Sequence, residues 1–84
     1  MERGRAVYSY EDFAEDLNMG HEAEFYFKGI HFLISYHENE CYCIRDHGKA
    51  KHVYESIQQL LSEYRIEDMT LKDLWSRIAV TNIF

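Results

Sequence analysis

Proline is absent from this 84-residue chain, and glycine occurs only as Gly4, Gly20, Gly29 and Gly48. Such a composition leaves no stretch resembling a linker or a low-complexity tract, and no internal repeat is apparent. The chain therefore reads as one domain, residues 1–84, without an internal boundary. Long apolar runs are absent as well. None approaches the ~20 residues of a membrane-spanning helix, so no membrane partner is expected. The N-terminal stretch 1–13, charged and without an apolar segment, does not read as a secretory signal. Cysteine is limited to Cys41 and Cys43. The expected location is cytoplasmic, with both thiols reduced. A basic footprint is lacking too. Nine Lys and Arg against fifteen Asp and Glu give a formal net charge of −6. That balance disfavours direct nucleic-acid binding and favours attraction to a protein partner with a basic surface.

What the chain does have is aromatic surface: seven Tyr, five Phe and one Trp within a 46% hydrophobic composition. Aromatic side chains bury much area per residue, which a domain of this size needs because it buries only roughly 60–65% of its unfolded surface. Their abundance also argues against disorder.

Ser9 precedes Tyr10-Glu11-Asp12 as a capping pattern, with Asp12 three positions on, and Phe13 and Leu17 share a helical face. A helix is predicted over Tyr10–Asn18, ending before Gly20. Residues 22–28 alternate, with Ala23, Phe25 and Phe27 on one side and Glu22, Glu24, Tyr26 and Lys28 on the other; this is the period of a half-buried strand. Lys28-Gly29 makes a tight turn into a returning strand over residues 30–36. His37-Glu38-Asn39-Glu40 is a second turn, and residues 41–45 form a third strand, giving an antiparallel meander. A second helix is expected over His52–Tyr64 from the stripe Val53, Ile57, Leu60, Leu61 and Tyr64. A short third helix follows the cap Thr70-x-x-Asp73, with Leu71, Leu74, Trp75 and Ile78 on one face. Leu60 and Trp75 are expected in the core. Residues 79–84 have strand propensity and either add a fourth strand or dock on the core. The predicted fold is α+β: a three-stranded antiparallel sheet and about three helices in the order α-β-β-β-α-α.

Several constellations bear on chemistry. Cys41-x-Cys43-x3-His47-x4-His52 has zinc-ligand residue types, but metal sites usually place two to four residues between their cysteines, where this chain has one. The bland alternative is two strand cysteines, acting as small buried hydrophobes, and two loop histidines. A Cys–His nucleophile pair lacks any feature that would depress a thiol pKa. Carboxylate pairs such as Glu11/Glu15 and Glu22/Glu24 read more simply as solvated charge than as an acid–base site. No phosphate loop, dinucleotide fingerprint, nucleophile elbow or EF-hand loop is present. No catalytic residue, metal or cofactor is therefore predicted. Tyr26 and Tyr42 are expected on the outer sheet face. There they suit single-stranded nucleic acid less well than a protein interface, because Glu22 and Glu24 lie beside them. Glu11, Asp12, Glu15, Asp16, Glu22 and Glu24 form an acidic patch suited to a basic partner, the bland alternative being ordinary solubilising charge.

Taken together, Tyr10-Glu11-Asp12-Phe13, Glu22-Ala23-Glu24-Phe25 and the segment from Tyr64 to Trp75 resemble small accessory proteins of phages and mobile elements of Gram-positive bacteria. The resemblance spans most of the chain and carries no catalytic motif. It implies an accessory role. Some proteins of similar size and acidity in that setting inhibit host defence nucleases, in the manner of anti-CRISPR proteins or DNA mimics. The expected function is thus a non-enzymatic interaction module. Its partner residues are Glu11, Asp12, Glu15, Asp16, Glu22, Glu24, Tyr26 and Tyr42. The alternatives are a small zinc-stabilised domain and a single-strand-binding sheet.

Overall fold

The computed structural model describes residues 8–84; the absence of a secretory signal, expected from stretch 1–13, rests largely outside them. Tyr10–Asn18 is a helix (α1), as its cap predicts. The Ser9 hydroxyl accepts from the Asp12 amide at 3.0 Å, and the Asp12 carboxylate accepts from the Ser9 amide at 3.2 Å. Strands follow at Ala23–Phe27 (β1), Ile30–His37 (β2) and Glu40–Arg45 (β3). Lys28 and Gly29 have φ of 52° and 79°, the left-handed pair that a two-residue turn needs to match the twist of its strands.

A tight turn at Asp46–Gly48, with left-handed backbone, leads into Ala50–Tyr54 (β4), and Ile57–Glu63 is the second helix (α2). This corrects the expected helix over His52–Tyr64. Its first turns are strand, paired with β3 through Cys43↔His52 and Cys41↔Tyr54. Ser56 is the cap, accepting from the Gln59 amide at 3.1 Å while the Gln59 side chain accepts from the Glu55 amide at 2.8 Å. Val53, expected on the buried stripe, is 48% exposed.

The expected third helix is also corrected. Thr70 and Asp73 do cap each other, at 3.2 and 3.3 Å. The chain nevertheless makes only turns and a 3₁₀ segment at Trp75–Arg77 before becoming extended at Ala79–Ile83 (β5). A helix continued past Ile78 would forfeit the pairing of β5 with β1. The tail thus adds a strand, and among the described residues the sheet has five antiparallel strands in the order β4-β3-β2-β1-β5.

The sheet's two faces differ completely. Phe25 stacks on Phe32 at 4.9 Å, and Phe13 of α1 meets Phe25 edge-on at 6.3 Å. Phe27, Ile34, Cys41 and Cys43 line the same face, closed by Leu17, Ile57, Leu60, Tyr64, Ile66, Leu71 and Leu74. Trp75 is half-buried rather than central. Its ring packs 5.0 Å from Phe13 and 5.8 Å from Tyr10, and its Nε1 donates to the Tyr8 carbonyl at 3.2 Å. Neither helix lies on the other face, and no helix among the described residues is long and apolar enough to cross a membrane.

The two ends of the disputed segment make the assignment testable. Leu60→Ala is expected to cost about 2–5 kcal/mol of unfolding free energy, as large buried deletions do. Val53→Thr on the exposed side of β4 should stay within about 0.5 kcal/mol. Urea unfolding of both variants checks this, and equal losses at the two positions would contradict the strand assignment.

Candidate functional site

The uncovered face of the sheet is built by alternation. Where Ala23, Phe25 and Phe27 turn toward the helices, Glu24 and Tyr26 turn away, and registration with the neighbouring strands arranges the outward residues in rows. Glu24 lies between Asn82 of β5 and Leu33 of β2, and Leu33 pairs with Ile44, which pairs with Lys51. Tyr26 lies between Ala79 and His31. Ser35, Tyr42 and Val53 form a third row across β2, β3 and β4. Tyr26 is 38% exposed and Val53 more so, while Leu33, Tyr42 and Ile44 are half-buried without a helix above them.

Polar groups on this face are tied to one another. The Ser35 hydroxyl donates to Glu22 at 2.5 Å. Glu24 accepts from Asn82 at 2.8 Å and lies 2.9 Å from Nε2 of His31. The hydrogen bond to His31, then that to Asn82, holds the Glu24 carboxyl below its ordinary pKa. His31 meets Tyr26 edge-on at 5.3 Å and stacks on His47 at 4.5 Å. Lys51 sits 4.4 Å above the Tyr42 ring, a cation–π contact.

The predicted partner residues are divided between the two sides of the molecule. Glu22, Glu24, Tyr26 and Tyr42 belong to the uncovered face, with Tyr26 and Tyr42 two strands and two rows apart across Leu33 and Ile44. Glu11, Asp12, Glu15 and Asp16 lie on α1, which packs on the opposite face. Asp12 is occupied in the cap and Asp16 accepts from the Tyr8 hydroxyl; Glu11 and Glu15 are exposed. The single acidic patch expected from the sequence is therefore two separate regions, because α1 packs on the Phe25 face of β1 while Glu22 and Glu24 belong to the other. Leu33, Ile44, Lys51 and Val53 were missed as members of the outer face. The period-two pattern of β2 and β3 contained the signal for Leu33 and Ile44, whereas Lys51 and Val53 depended on recognising β4.

The zinc constellation is not assembled. Cys41 and Cys43 are buried on the helix-covered face, where His52 packs against Tyr64 at 5.4 Å, while His47 stacks on His31 on the other side. Among the described residues, no group of three or more His, Cys, Asp or Glu side chains is arranged to hold a metal ion. Burial pushes the Cys43 thiol up to about 12 and also raises that of Cys41, the opposite of what a thiolate nucleophile needs.

An apolar groove of about 610 Å³ lies elsewhere, between the Tyr8–Trp75 rings and β5, lined further by Ile78, Val80 and Ile83. It takes in none of the predicted partner residues. No protein-family model, curated protein or solved structure matches the chain.

Two measurements check this geometry. Both thiols should resist a neutral-pH thiol reagent in the native protein and react fully in denaturant; rapid native labelling of Cys43 would refute its burial. For Glu24, a lowered folded pKa means stabilisation that is present above the ordinary glutamate value of ~4.3 and lost as pH falls through the lower folded value. The difference in melting temperature between the parent and Glu24→Gln should thus shrink as pH falls below about 4. A difference constant from neutral to acid pH would show that the carboxylate gains nothing from His31 and Asn82.

Proposed function

We propose that this chain is a non-enzymatic protein-interaction module that engages its partner through the uncovered sheet face. The observation that carries this reading is an aromatic and aliphatic surface, Tyr26, Leu33, Tyr42, Ile44 and Val53, that no layer among the described residues covers, while its carboxylates are internally hydrogen-bonded. Tyrosines beside half-buried aliphatic residues are a composition suited to interface cores, and satisfied carboxylates lower the cost of covering them.

The partner we infer is a protein with a basic surface. The net charge of −6 favours encounter with it, and the exposed Glu11 and Glu15 contribute long-range attraction. An inhibitor of a host nucleic-acid-binding defence protein, by analogy with phage proteins of similar size and acidity, fits this chemistry. Contact and steering then fall to different residues, the tyrosines of the sheet and the carboxylates of α1.

The test begins with affinity capture from the native host, followed by binding kinetics on the recovered partner. Tyr26→Ala and Tyr42→Ala together should raise Kd by roughly tenfold or more, mainly through faster dissociation. Glu11→Gln with Glu15→Gln should instead slow association and flatten its salt dependence. If the tyrosine variant is folded by circular dichroism and binds like the parent, the uncovered face is not the interface.

A further inference from the structure

We propose that the stacked rings of His31 and His47 are a proton-operated latch, holding the Asp46–Gly48 turn against the sheet and releasing it when both rings are charged. The latch rests on the geometry of the chain itself, whether or not the sheet face binds a partner.

The His31 side chain is only 10% exposed. Its Nε2 lies 2.9 Å from the Glu24 carboxylate and is therefore the protonated nitrogen, while its Nδ1 is buried without a hydrogen-bond partner. The His47 ring lies over it, 4.5 Å away and within 2° of parallel. His47 occupies a turn that L-residues resist. Asp46 and His47 have φ of 55° and 57°, in the left-handed region disfavoured for residues with a Cβ. What docks that turn on the sheet is the ring stack; the Lys49 amide, bonded to the Arg45 carbonyl at 3.0 Å, and the exposed Lys49–Asp46 ion pair at 3.4 Å act within the turn itself.

The surrounding charges set how many protons the stack tolerates. From β1, Glu24 and the Tyr26 ring face His31, with Asn82 of β5 holding the second Glu24 oxygen. On the turn, Asp46 is engaged by Lys49. Arg45 of β3 lies over the Phe32 ring on the opposite face, and Lys51 of β4 over Tyr42. Glu24 is thus the carboxylate bonded to the pair, and it balances one proton. A second places two like charges 4.5 Å apart in a partly desolvated site, and a charged His31 carries an Nδ1–H with no acceptor. Both effects oppose the stack, and relief of the left-handed backbone favours departure. Release would uncover His31 beside Tyr26.

Histidine-ring and backbone-amide NMR between about pH 8 and pH 5, where imidazoles change charge, tests the latch. The expected result is that, as both rings become charged, the Asp46–Lys49 amides shift and exchange roughly tenfold faster, corrected for intrinsic rates. The amides of Phe32, Ile34 and Cys43 should stay protected. Glu24→Gln should move the opening to higher pH, since without the balancing anion the stack opposes even a first proton. His47→Asn, which tolerates left-handed backbone, should abolish the pH response of the turn. The proposal is overturned if both rings become charged while the turn amides ignore pH, if the core amides lose protection in the same step, or if Glu24→Gln does not raise the midpoint.

Discussion

Phe25 and Phe32 lie face to face across β1 and β2, 4.9 Å apart and nearly parallel. The register that brings them together decides which side of every neighbouring residue is dry. Because side chains alternate along a strand, a slip of one residue would carry Glu24 and Tyr26 into the core and Phe25 into water. The same register presents Phe25 to Phe13 of α1. The register of β2 with β3 in turn sets Ile34 beside Cys43 on the covered face and Leu33 beside Ile44 on the uncovered one. The core and the candidate interface are two readings of one pairing.

That pairing also explains how a chain with an excess of carboxylates keeps a half-apolar sheet face. Glu22 and Glu24 do not simply stand in solvent; they accept from Ser35, Asn82 and His31 within the face. The exposed Glu11 and Glu15 lie behind the sheet on α1. Net charge thus acts at long range, where it orients encounter, while contact chemistry is left to aromatic and aliphatic groups. Tyr36 illustrates the covered side: its hydroxyl donates to the Leu17 carbonyl at 2.5 Å, and burial pushes its pKa up to about 12. It joins α1 to the sheet without placing an unsatisfied polar group in the core.

Local signals were read most faithfully where they needed no distant partner. The capping box delimits α1 at Tyr10–Asn18 as expected, and the period-two segments correspond to β1, β2 and β3 within a residue or two of their ends. The errors came where two periods coexist. Ala50, His52 and Tyr54 alternate as a strand, yet Val53, Ile57, Leu60, Leu61 and Tyr64 also keep helical spacing. The vacant edge of β3 decided for strand up to Tyr54, and Ser56-x-x-Gln59, a start signal present but passed over, opened the helix later. Thr70 and Asp73 closed a cap on a helix that the pull of β1 on the chain beyond Ile78 kept to a turn.

The sequence by itself determined the class of the fold, the composition of the aromatic core, the meander, the acidity, and the placement of Tyr26 and Glu24 away from Phe25. Each of these follows from nearest-neighbour periodicity or from composition. Only the tertiary structure decided that α1 and the Glu22–Glu24 pair occupy opposite sides, that Cys41 and Cys43 face the core while His47 does not, and that His47 stacks on His31. Those outcomes depend on which strand fills each sheet edge and on which face the helices cover. Edge pairing and face burial join residues distant along the chain, so no local window contains them.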